Sequence, residues 1–371
     1  MPFLDNVLQP PMYGWQDADG NLVKPANREI LREFFSRLNV IKDRRNWLSF
    51  FSWFKVICLI PFLVVFVIYF LSWWTVVAAL VYGIIMAIHG SVWYNRYCTH
   101  RAFEFAHPFW RFFTKNLTLD LIPEEIYVIS DHVHHAKADR PGDPHNAQGG
   151  FLYCFLSDVI HQPIARNMTE ADYFDVKLLM KHTGIPGNNY LQYQKWGSYV
   201  NPVFAIASWL LNWAFWYSVF YLIGGNALAC TLFGAAGLWA ICSRMFNYEA
   251  HGRGINKQCK GKDFGVADKS LNQLLPGIIA GEWHNNHHLY PKSARCGFQP
   301  NQVDPAWRYI KLMYRLGAVS GYKDDKRRFY EKYYRPYLEE HARYLNEIKQ
   351  KEILGPFVPL RKDDTFNTKT W

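Results

Sequence analysis

The fold is decided by residues 54–94, FKVICLIPFLVVFVIYFLSWWTVVAALVYGIIMAIHGSVWY, which are apolar over nearly their whole length. Four apolar runs are present in the chain, at 54–71, 75–94, 202–223 and 227–246. Each run approaches the roughly 20 residues that a helix needs to cross a hydrocarbon core of about 30 Å. The connectors at 72–74 and 224–226 are too short to hold a domain. The sequence therefore predicts four transmembrane helices arranged as two hairpins.

Positive charge predicts which side of the membrane the loops occupy. Lysines and arginines precede the first run or lie at its start, at positions 24, 28, 32, 37, 42, 44, 45 and 55. The two hairpin tips carry none. Because basic residues near the ends of spans stay cytoplasmic, both termini and the loop between the hairpins are expected in the cytosol. We predict an integral membrane protein, most naturally of a bacterial inner membrane.

The expected architecture is an all-α integral membrane fold with a helical cytosolic cap. Its five regions would be a cytosolic N-terminal segment (1–53), a first hairpin (54–94), a cytosolic loop (95–201), a second hairpin (202–246) and a cytosolic C-terminal region (247–371). The residues from about 322 to 354 alternate charge with apolar side chains at helical spacing, which predicts an amphipathic helix.

The net charge of +10 indicates contact with anionic membrane lipid. The basic residues are scattered along the chain and are not interleaved with aromatic residues on a soluble domain. This distribution argues against nucleic acid as a partner.

Nine of the fourteen histidines lie beside the apolar runs. They are His100, His132, His134, His135, His145, His251, His284, His287 and His288. Residues at i, i+3 and i+4 share a helical face, so the HxxHH pattern at 284–288 can direct three imidazoles into one small volume. Asn247 and His251 are likewise one turn apart. Because ionisable residues at membrane depth are costly and usually functional, the pattern predicts a metal site at the cytosolic face.

These histidine segments resemble the histidine boxes of the membrane fatty acid desaturase family. They are NRYCTHRAFEF at 95–105, DHVHHAKADRPGDPHN at 131–146, NYEAH at 247–251 and GEWHNNHHLYP at 281–291. The likeness extends from about residue 92 to about residue 316 and keeps the family's order of motifs. It implies a centre of two iron ions beside an acyl tunnel, with O₂ as co-substrate.

Carried over position by position, the resemblance implies one set of ligands. Each of the following histidines would hold one iron or the other: His100, His134, His135, His251, His284, His287 and His288. Asn247 would lie near the metal through a water. Asp139, Asp143 and His145 would orient the ligand imidazoles or cap the loop. Glu249 and Glu282 flank ligand positions, where they would support ligands or form ion pairs.

The chain departs from the family pattern at two positions. The first box normally begins with histidine five residues before His100, where this chain has Asn95. The second normally reads HxxHH, and this chain has Asp131 at its first position, with His132 next to it. Asp131 shares a helical face with the two histidines that follow at i+3 and i+4, whereas His132 points elsewhere on a regular helix. Asp131 is therefore the preferred ligand, since a carboxylate oxygen can bind iron.

Two alternatives at these positions stay open on the sequence alone. A local irregularity would bring His132 to the metal in place of Asp131. Asn95 would coordinate through its amide oxygen or hold a water. His89 does not replace the missing histidine, because it lies about three helical turns, roughly 16 Å, before His100.

The resemblance and the membrane setting together predict a reaction class. Breaking an unactivated methylene C–H bond requires an oxidant made from O₂ at reduced iron in a dry pocket. The substrate would be a fatty acid or fatty acyl chain, and desaturation to a carbon–carbon double bond is the leading hypothesis. No dinucleotide, flavin or haem motif is present in the sequence. The electrons are therefore expected from an external donor, such as a ferredoxin or a reductase, docked on the basic cytosolic face.

Two further hypotheses are kept. The altered positions Asn95 and Asp131 would also suit a relative that hydroxylates the chain or decarboxylates a free fatty acid to a terminal alkene. A hypothesis of another class is a catalytically dead, lipid-binding paralogue, which the loss of two family histidines suggests. The retention of seven histidines in register argues against that hypothesis.

Overall fold

The computed structural model describes residues 2–161, 163–250, 283–299 and 302–354, and these residues are mostly helical. The α-helices are α1 (Asn27–Leu38), α2 (Trp47–Val65), α3 (Trp73–Gly90), α4 (Pro108–Lys115), α5 (Glu124–Lys137), α6 (Phe151–Phe155), α7 (Ser157–Ile160), α8 (Glu170–Met180), α9 (Tyr190–Trp196), α10 (Pro202–Ala250), α11 (His284–Leu289), α12 (Pro305–Arg315), α13 (Lys326–Phe329) and α14 (Arg335–Leu354). Segments of π-helix lie at Phe66–Phe70, Ser91–Thr99 and Tyr330–Tyr334. Short 3-10 turns lie at Pro2–Asp5, Arg44–Asn46, Ala147–Gly149 and Lys181–Thr183.

A small antiparallel sheet is the exception to the expected all-α fold. It pairs β1 (Phe103–Phe105) with β2 (Val319–Tyr322), and it is the one sheet found in the described ranges. The pairing joins the segment after His100 to the segment after α12, so it brings distant parts of the cap together.

Three helices in the described part of the chain are long and apolar enough to cross a membrane. They are Arg44–Phe70, Trp73–Thr99 and Pro202–Ala250. The first begins ten residues before the predicted run, since a short 3-10 turn leads directly into α2. The break between the first two falls at Ser72, as expected, where the Ser72 N–H donates to Thr75 Oγ1 (2.9 Å) and Ser72 Oγ accepts from the Thr75 N–H (3.4 Å). This reciprocal cap starts α3.

The long helix α10 contains the predicted third and fourth runs. Its backbone is not helical at Gly224 (φ −145°, ψ 20°) and Gly225 (φ 63°, ψ −161°), within the predicted connector. The rings of Tyr217 and Phe233 have centroids 5.6 Å apart, whereas sixteen residues of straight helix would separate them by about 24 Å. The segments on the two sides of the glycines therefore contact each other, and Phe233 also packs on Phe62 of α2 (4.9 Å).

The π-helical segment Ser91–Thr99 carries α3 into the cap. All nine of its residues are buried, and it packs against α5. The His100 N–H, at its end, donates to the carbonyl oxygen of Asn95 at 3.0 Å. Because a π-helix closes hydrogen bonds between residues i and i+5, Asn95 and His100 come to the same face.

A buried ion pair holds this segment against the region after α11. Arg96 is fully buried, and its Nη2 lies 2.8 Å from Asp304 Oδ1. Arg96 also donates to the carbonyl oxygen of Ala294. Asp304 accepts from the Trp307 N–H (2.9 Å) at the start of α12. Separation of the pair would leave a buried charge uncompensated, which is costly. The pair therefore holds the segment before His100 against the region that follows α11.

Helix α5 is anchored at its first turn. Glu125 is 2% exposed and accepts a hydrogen bond from the Val200 N–H (2.9 Å), just before α10. Burial raises the pKa of Glu125 to about 7, although the backbone N–H groups of Val200 and Tyr199 oppose the shift. The anchor fixes the position of the helix that carries residues 131–135.

Candidate metal centre

Three elements bring the predicted ligands together. His100 directly follows the π-helical segment, Asp131, His134 and His135 lie on α5, and His284, His287 and His288 lie on α11. Their nitrogen and oxygen atoms form two groups, and within each group one ligand atom per residue lies within 4.8 Å of the others. The structure thus converges six of the predicted histidines and one carboxylate on one small volume.

The first group, called here the carboxylate group, consists of His100, Asp131, His135 and His287. Nε2 of His100 lies 3.0 Å from Oδ2 of Asp131. Nε2 of His135 lies 3.0 Å from Nε2 of His287 and 3.9 Å from Oδ1 of Asp131. His132 is not a member, and its ring centroid is 6.1 Å from that of His100. The geometry favours Asp131 over His132, in agreement with helical periodicity.

The second group, called here the histidine group, consists of His134, His284 and His288. Nε2 of His288 lies 3.1 Å from Nε2 of His134 and 3.0 Å from Nε2 of His284. The i, i+4 spacing of the last two on α11 places both imidazoles on one face, as the sequence predicts. The two groups are adjacent, since the ring centroids of His135 and His288 are 4.4 Å apart.

Asp143 orients one imidazole of the histidine group. This carboxylate is fully buried, and its Oδ1 lies 2.8 Å from Nδ1 of His134. It also accepts from the backbone N–H groups of Asp139 (2.9 Å) and His145 (2.8 Å). Burial lowers the pKa of His134, but the Asp143 carboxylate outweighs it and raises the pKa to about 9. A hydrogen bond from Nδ1 to Asp143 leaves Nε2 of His134 directed at the group.

Asn95 lies beside the carboxylate group. Its Nδ2 is 3.3 Å from Nε2 of His287, and its Oδ1 is buried with no hydrogen-bond partner among the described residues. Oxygen and nitrogen of an amide are interchangeable in shape, so rotation of this side chain by half a turn would direct the oxygen at His287. Asn95 lies on the same face of the helix as His100 because this segment forms a π-helical turn. Residue spacing alone does not predict such a turn.

His145 lies next to the histidine group, with its ring centroid 5.4 Å from that of His134. Nδ2 of Asn247 is 2.9 Å from Nδ1 of His145, and that nitrogen is 3.1 Å from Oγ of Ser157. His89 lies apart, with its two ring nitrogens 2.8 Å from the Thr114 carbonyl oxygen and 3.0 Å from Thr118 Oγ1. His251 and Glu282 lie outside the described residues.

Comparison with known proteins identifies the family. The sequence model for "Fatty acid desaturase" matches residues 71–318, which is more than half of the chain. The chain belongs to the fatty acid desaturase family. The resemblance seen in the histidine segments is thereby confirmed.

Relatives in this family share about a quarter of their residues with the chain. An icosanoyl-CoA 5-desaturase of Limnanthes douglasii is 24% identical over 63% of this chain and 60% of its own length. An acyl-CoA C20 Delta5-desaturase of Anemone leveillei is 26% identical over 62% of this chain and 67% of its own length. An sn-1 stearoyl-lipid 9-desaturase of Anabaena variabilis is 26% identical over 63% of this chain and 78% of its own length. The aligned region covers 60% of the Limnanthes desaturase, less than two thirds of that relative.

The desaturase family implies iron, and the donor atoms of this chain suit it. His100 Nε2 and Asp131 Oδ2 are buried and 3.0 Å apart, yet neither has a correctly oriented hydrogen bond to any residue that the structure describes. Burial, His288 and His287 keep the pKa of His135 low, and burial, His100 and Arg96 keep that of His287 low. The neutral imidazoles of His135 and His287, together with the Asp131 carboxylate, form a donor set that iron accepts. The residues therefore fit the metal.

A cavity of about 400 Å³ lies beside both groups, a size typical of ligand pockets. Its wall is mainly apolar and includes Ile122, Ile126 and Trp239, and it reaches Asp131, His134, His284, His287 and Glu249. The wall also contains Asp158 and Arg244. These two charged residues were not singled out from the sequence, although an arginine near the end of an apolar run is a signal that could have found one of them.

Proposed function

We propose that the protein is a di-iron desaturase that uses O₂ to introduce a carbon–carbon double bond into a fatty acyl chain. One observation carries the proposal, namely two adjacent groups of imidazole and carboxylate ligands that border an apolar cavity. Family membership and relatives that are named as acyl-CoA or acyl-lipid desaturases support the same reaction class.

The residues of each group have distinct roles in this proposal. The carboxylate group, His100, Asp131, His135 and His287, would hold one iron, with Asn95 as a further oxygen donor. The histidine group, His134, His284 and His288, would hold the other, joined by His251, with Asn247 nearby through a water. Asp131 takes the position of the missing family histidine, and His132 is the alternative. When bound, the two irons supply the oxidising power, drawn from O₂, that removes two hydrogens from adjacent methylenes.

The chain's own side chains place the substrate and exclude water. The apolar wall formed by Ile122, Ile126 and Trp239 would hold the acyl chain next to His284 and His287. Asp143 would keep the His134 imidazole in one tautomer throughout the cycle. For one double bond, the two hydrogens removed, O₂, two electrons and two further protons balance as two waters.

The electrons would come from a separate donor such as a ferredoxin. A surface next to α11 suits an acidic carrier. Arg328 is 75% exposed and lies 5.5 Å from the ring centroid of Tyr290, two residues after His288. The Tyr290 ring also contacts that of Tyr333 (6.5 Å), and Lys332 is exposed beside it. Positive charge over an aromatic contact near the ligands supports docking at this place.

The membrane arrangement is also a proposal. The helices Arg44–Phe70 and Trp73–Thr99 would each contain one crossing, within residues 54–94, and the two segments of α10 on either side of Gly224 and Gly225 would cross once each. This gives four crossings in two hairpins, with the regions 1–53, 95–201 and 247–371 on the cytosolic side. An inner membrane of a bacterium is the proposed location.

Hydroxylation or oxidative decarboxylation is the second candidate reaction. The observation that favours it is the single carboxylate of the carboxylate group, because Asp131 changes the charge at one iron relative to an imidazole ligand. A dead lipid-binding paralogue is the outcome expected if the ligands bind no metal.

Product analysis tests the proposal. Membranes that contain the protein would be given a labelled saturated fatty acid, its thioester or its lipid ester, with a reducing system, and the products analysed by mass. An unsaturated chain that retains all its carbons supports desaturation. A hydroxy acid, or an alkene one carbon shorter, would transfer the assignment to the second candidate. If the iron-containing protein forms no product, both candidate reactions are contradicted.

A further inference from the structure

A partly buried ion pair forms part of the wall of the acyl cavity. Nη2 of Arg244 lies 2.7 Å from Oδ2 of Asp158, and their side chains are 10% and 18% exposed. Asp158 also accepts hydrogen bonds from Trp53 Nε1 (3.2 Å) and Ser52 Oγ (3.3 Å). The guanidinium lies 4.9 Å from the Trp53 ring centroid. Partial burial of two charges beside a mainly apolar cavity is costly, so a function is the expected reason for it.

The hydrogen-bond donors of Arg244 are only partly used. Nη2 donates to Asp158, and Nη1 donates to the carbonyl oxygen of Ala240. Nε is buried and has no hydrogen-bond partner in the described ranges. An N–H group shielded from water without an acceptor is unfavourable, and Arg244 lines the cavity. An acceptor supplied by a ligand in the cavity would remove this cost.

The cavity wall is divided between a polar and an apolar part. Cys154, Ser157, Asp158, Ser243 and Arg244 form the polar part, and Ala87, Gly90, Ile122, Ile126 and Trp239 belong to the apolar part. Trp239 and Arg244 are five residues apart on α10, which separates them by about 140° around the helix. Their contacts agree with this separation, since Trp239 contacts Gly90 of α3 and Arg244 contacts Asp158 of α7.

We propose that Arg244 binds the head-group oxygen of the acyl substrate, so that the head lies at the polar part of the cavity and the tail at the apolar part. The inference rests on the proposed function and extends it to substrate orientation. The ligand chemistry is an acyl oxygen, either the carboxylate of a free fatty acid or the carbonyl of an ester or thioester. Because Asp158 neutralises the charge of Arg244, the pair favours a neutral carbonyl. A carboxylate would be repelled by the negative charge of Asp158.

Binding measurements with three ligands of one chain length test this assignment. Radiolabelled stearic acid, methyl stearate and octadecane would be bound to the purified full-length protein, and to Arg244→Met and the surface control Arg327→Met. We expect Arg244→Met to weaken the two oxygen-bearing ligands by roughly tenfold, with octadecane within about twofold of the original value. Equal losses for all three ligands, or no loss, would overturn the proposal. The ratio of acid to ester binding in the unmodified protein identifies which head group is preferred.

Asp158→Asn provides an independent test if Arg244→Met does not fold. Removal of the carboxylate charge should tighten stearic acid relative to methyl stearate by several-fold, since Arg244 stays charged. An unchanged ratio would contradict the placement of the head beside this pair. These measurements require neither iron nor turnover. If the protein shows this ligand pattern but forms no product, only the proposed reaction is refuted. If it forms product but does not show the ligand pattern, only the proposed role of Arg244 is refuted.

Discussion

Oδ2 of Asp131 lies 3.0 Å from Nε2 of His100, within a group that His132 does not join. Burial raises the pKa of Asp131, but His100, followed by His134 and His132, lowers it to about 2. The carboxylate is therefore charged in the folded protein. A charged oxygen among buried imidazoles is suited to a metal ion.

Asp131 and His132 can be separated by metal content. Asp131→Ala should lower the iron content from about two to about one per chain and abolish turnover, since the carboxylate group loses its charged ligand. His132→Ala should retain about two irons. Elemental analysis of the reconstituted proteins measures both. Retention of two irons by Asp131→Ala with one in His132→Ala would reverse the roles.

Asn95 offers a test of the π-helical turn. Asn95→His would supply an imidazole on the face of His100 and restore the family pattern, so iron at the carboxylate group should resist a chelator longer. Asn95→Ala should release iron faster, by roughly tenfold. The measurement is the rate of iron loss to a coloured chelator. Equal rates in the unmodified protein and both variants would show that this side chain does not contact the metal.

Asp143 should act through His134. Asp143→Ala should weaken metal binding by about 10–100-fold, because the imidazole loses the partner that fixes its tautomer. Asp143→Asn should lose less, since an amide oxygen still accepts from Nδ1. Metal affinity is read by competition with a chelator, and Asp172→Ala on α8 is a distant control. A loss no greater than that of the control would assign Asp143 to loop capping.

Glu125 predicts how stability depends on pH. Its pKa is raised from 4.5 to about 7 in the folded protein. Below about pH 4.5 the carboxyl is protonated in both states and its contribution is complete. That contribution is lost as pH rises through 7, by at most about 3 kcal/mol. Glu125→Gln keeps an acceptor for the Val200 N–H and does not titrate.

The Glu125→Gln protein should therefore lose less thermal stability than the unmodified protein between pH 4.5 and pH 8. Melting curves in detergent at several pH values provide the comparison. Parallel pH profiles for the two proteins would show that this carboxyl ionises in the folded state as readily as in the unfolded chain.

Local periodicity predicted much of the candidate centre. The three imidazoles of the HxxHH pattern at 284–288 and the choice of Asp131 depend on positions one turn apart on a single helix, which spacing alone describes. The place of the break in α10 was predicted by adjacent glycines, because Gly225 adopts a positive φ that other residues rarely take.

Other features depend on contacts between distant segments. Spacing does not reveal that residues 91–99 form a π-helix, because their burial against α5 and the Arg96–Asp304 pair stabilises a conformation without a local signature. Arg244 and Asp158 are 86 residues apart in the sequence, and they form an ion pair only because α10 lies against α7. The helices extend beyond the predicted apolar runs for the same reason, since polar segments continue them into the cap.

The central claim is that two metal positions lie side by side where His100, α5 and α11 meet. Anomalous diffraction at the iron edge, from crystals of the iron-loaded protein, tests it most directly. We expect two peaks, one enclosed by His100, Asp131, His135 and His287 and one enclosed by His134, His284 and His288. A single peak, or no peak within either group, would contradict the account.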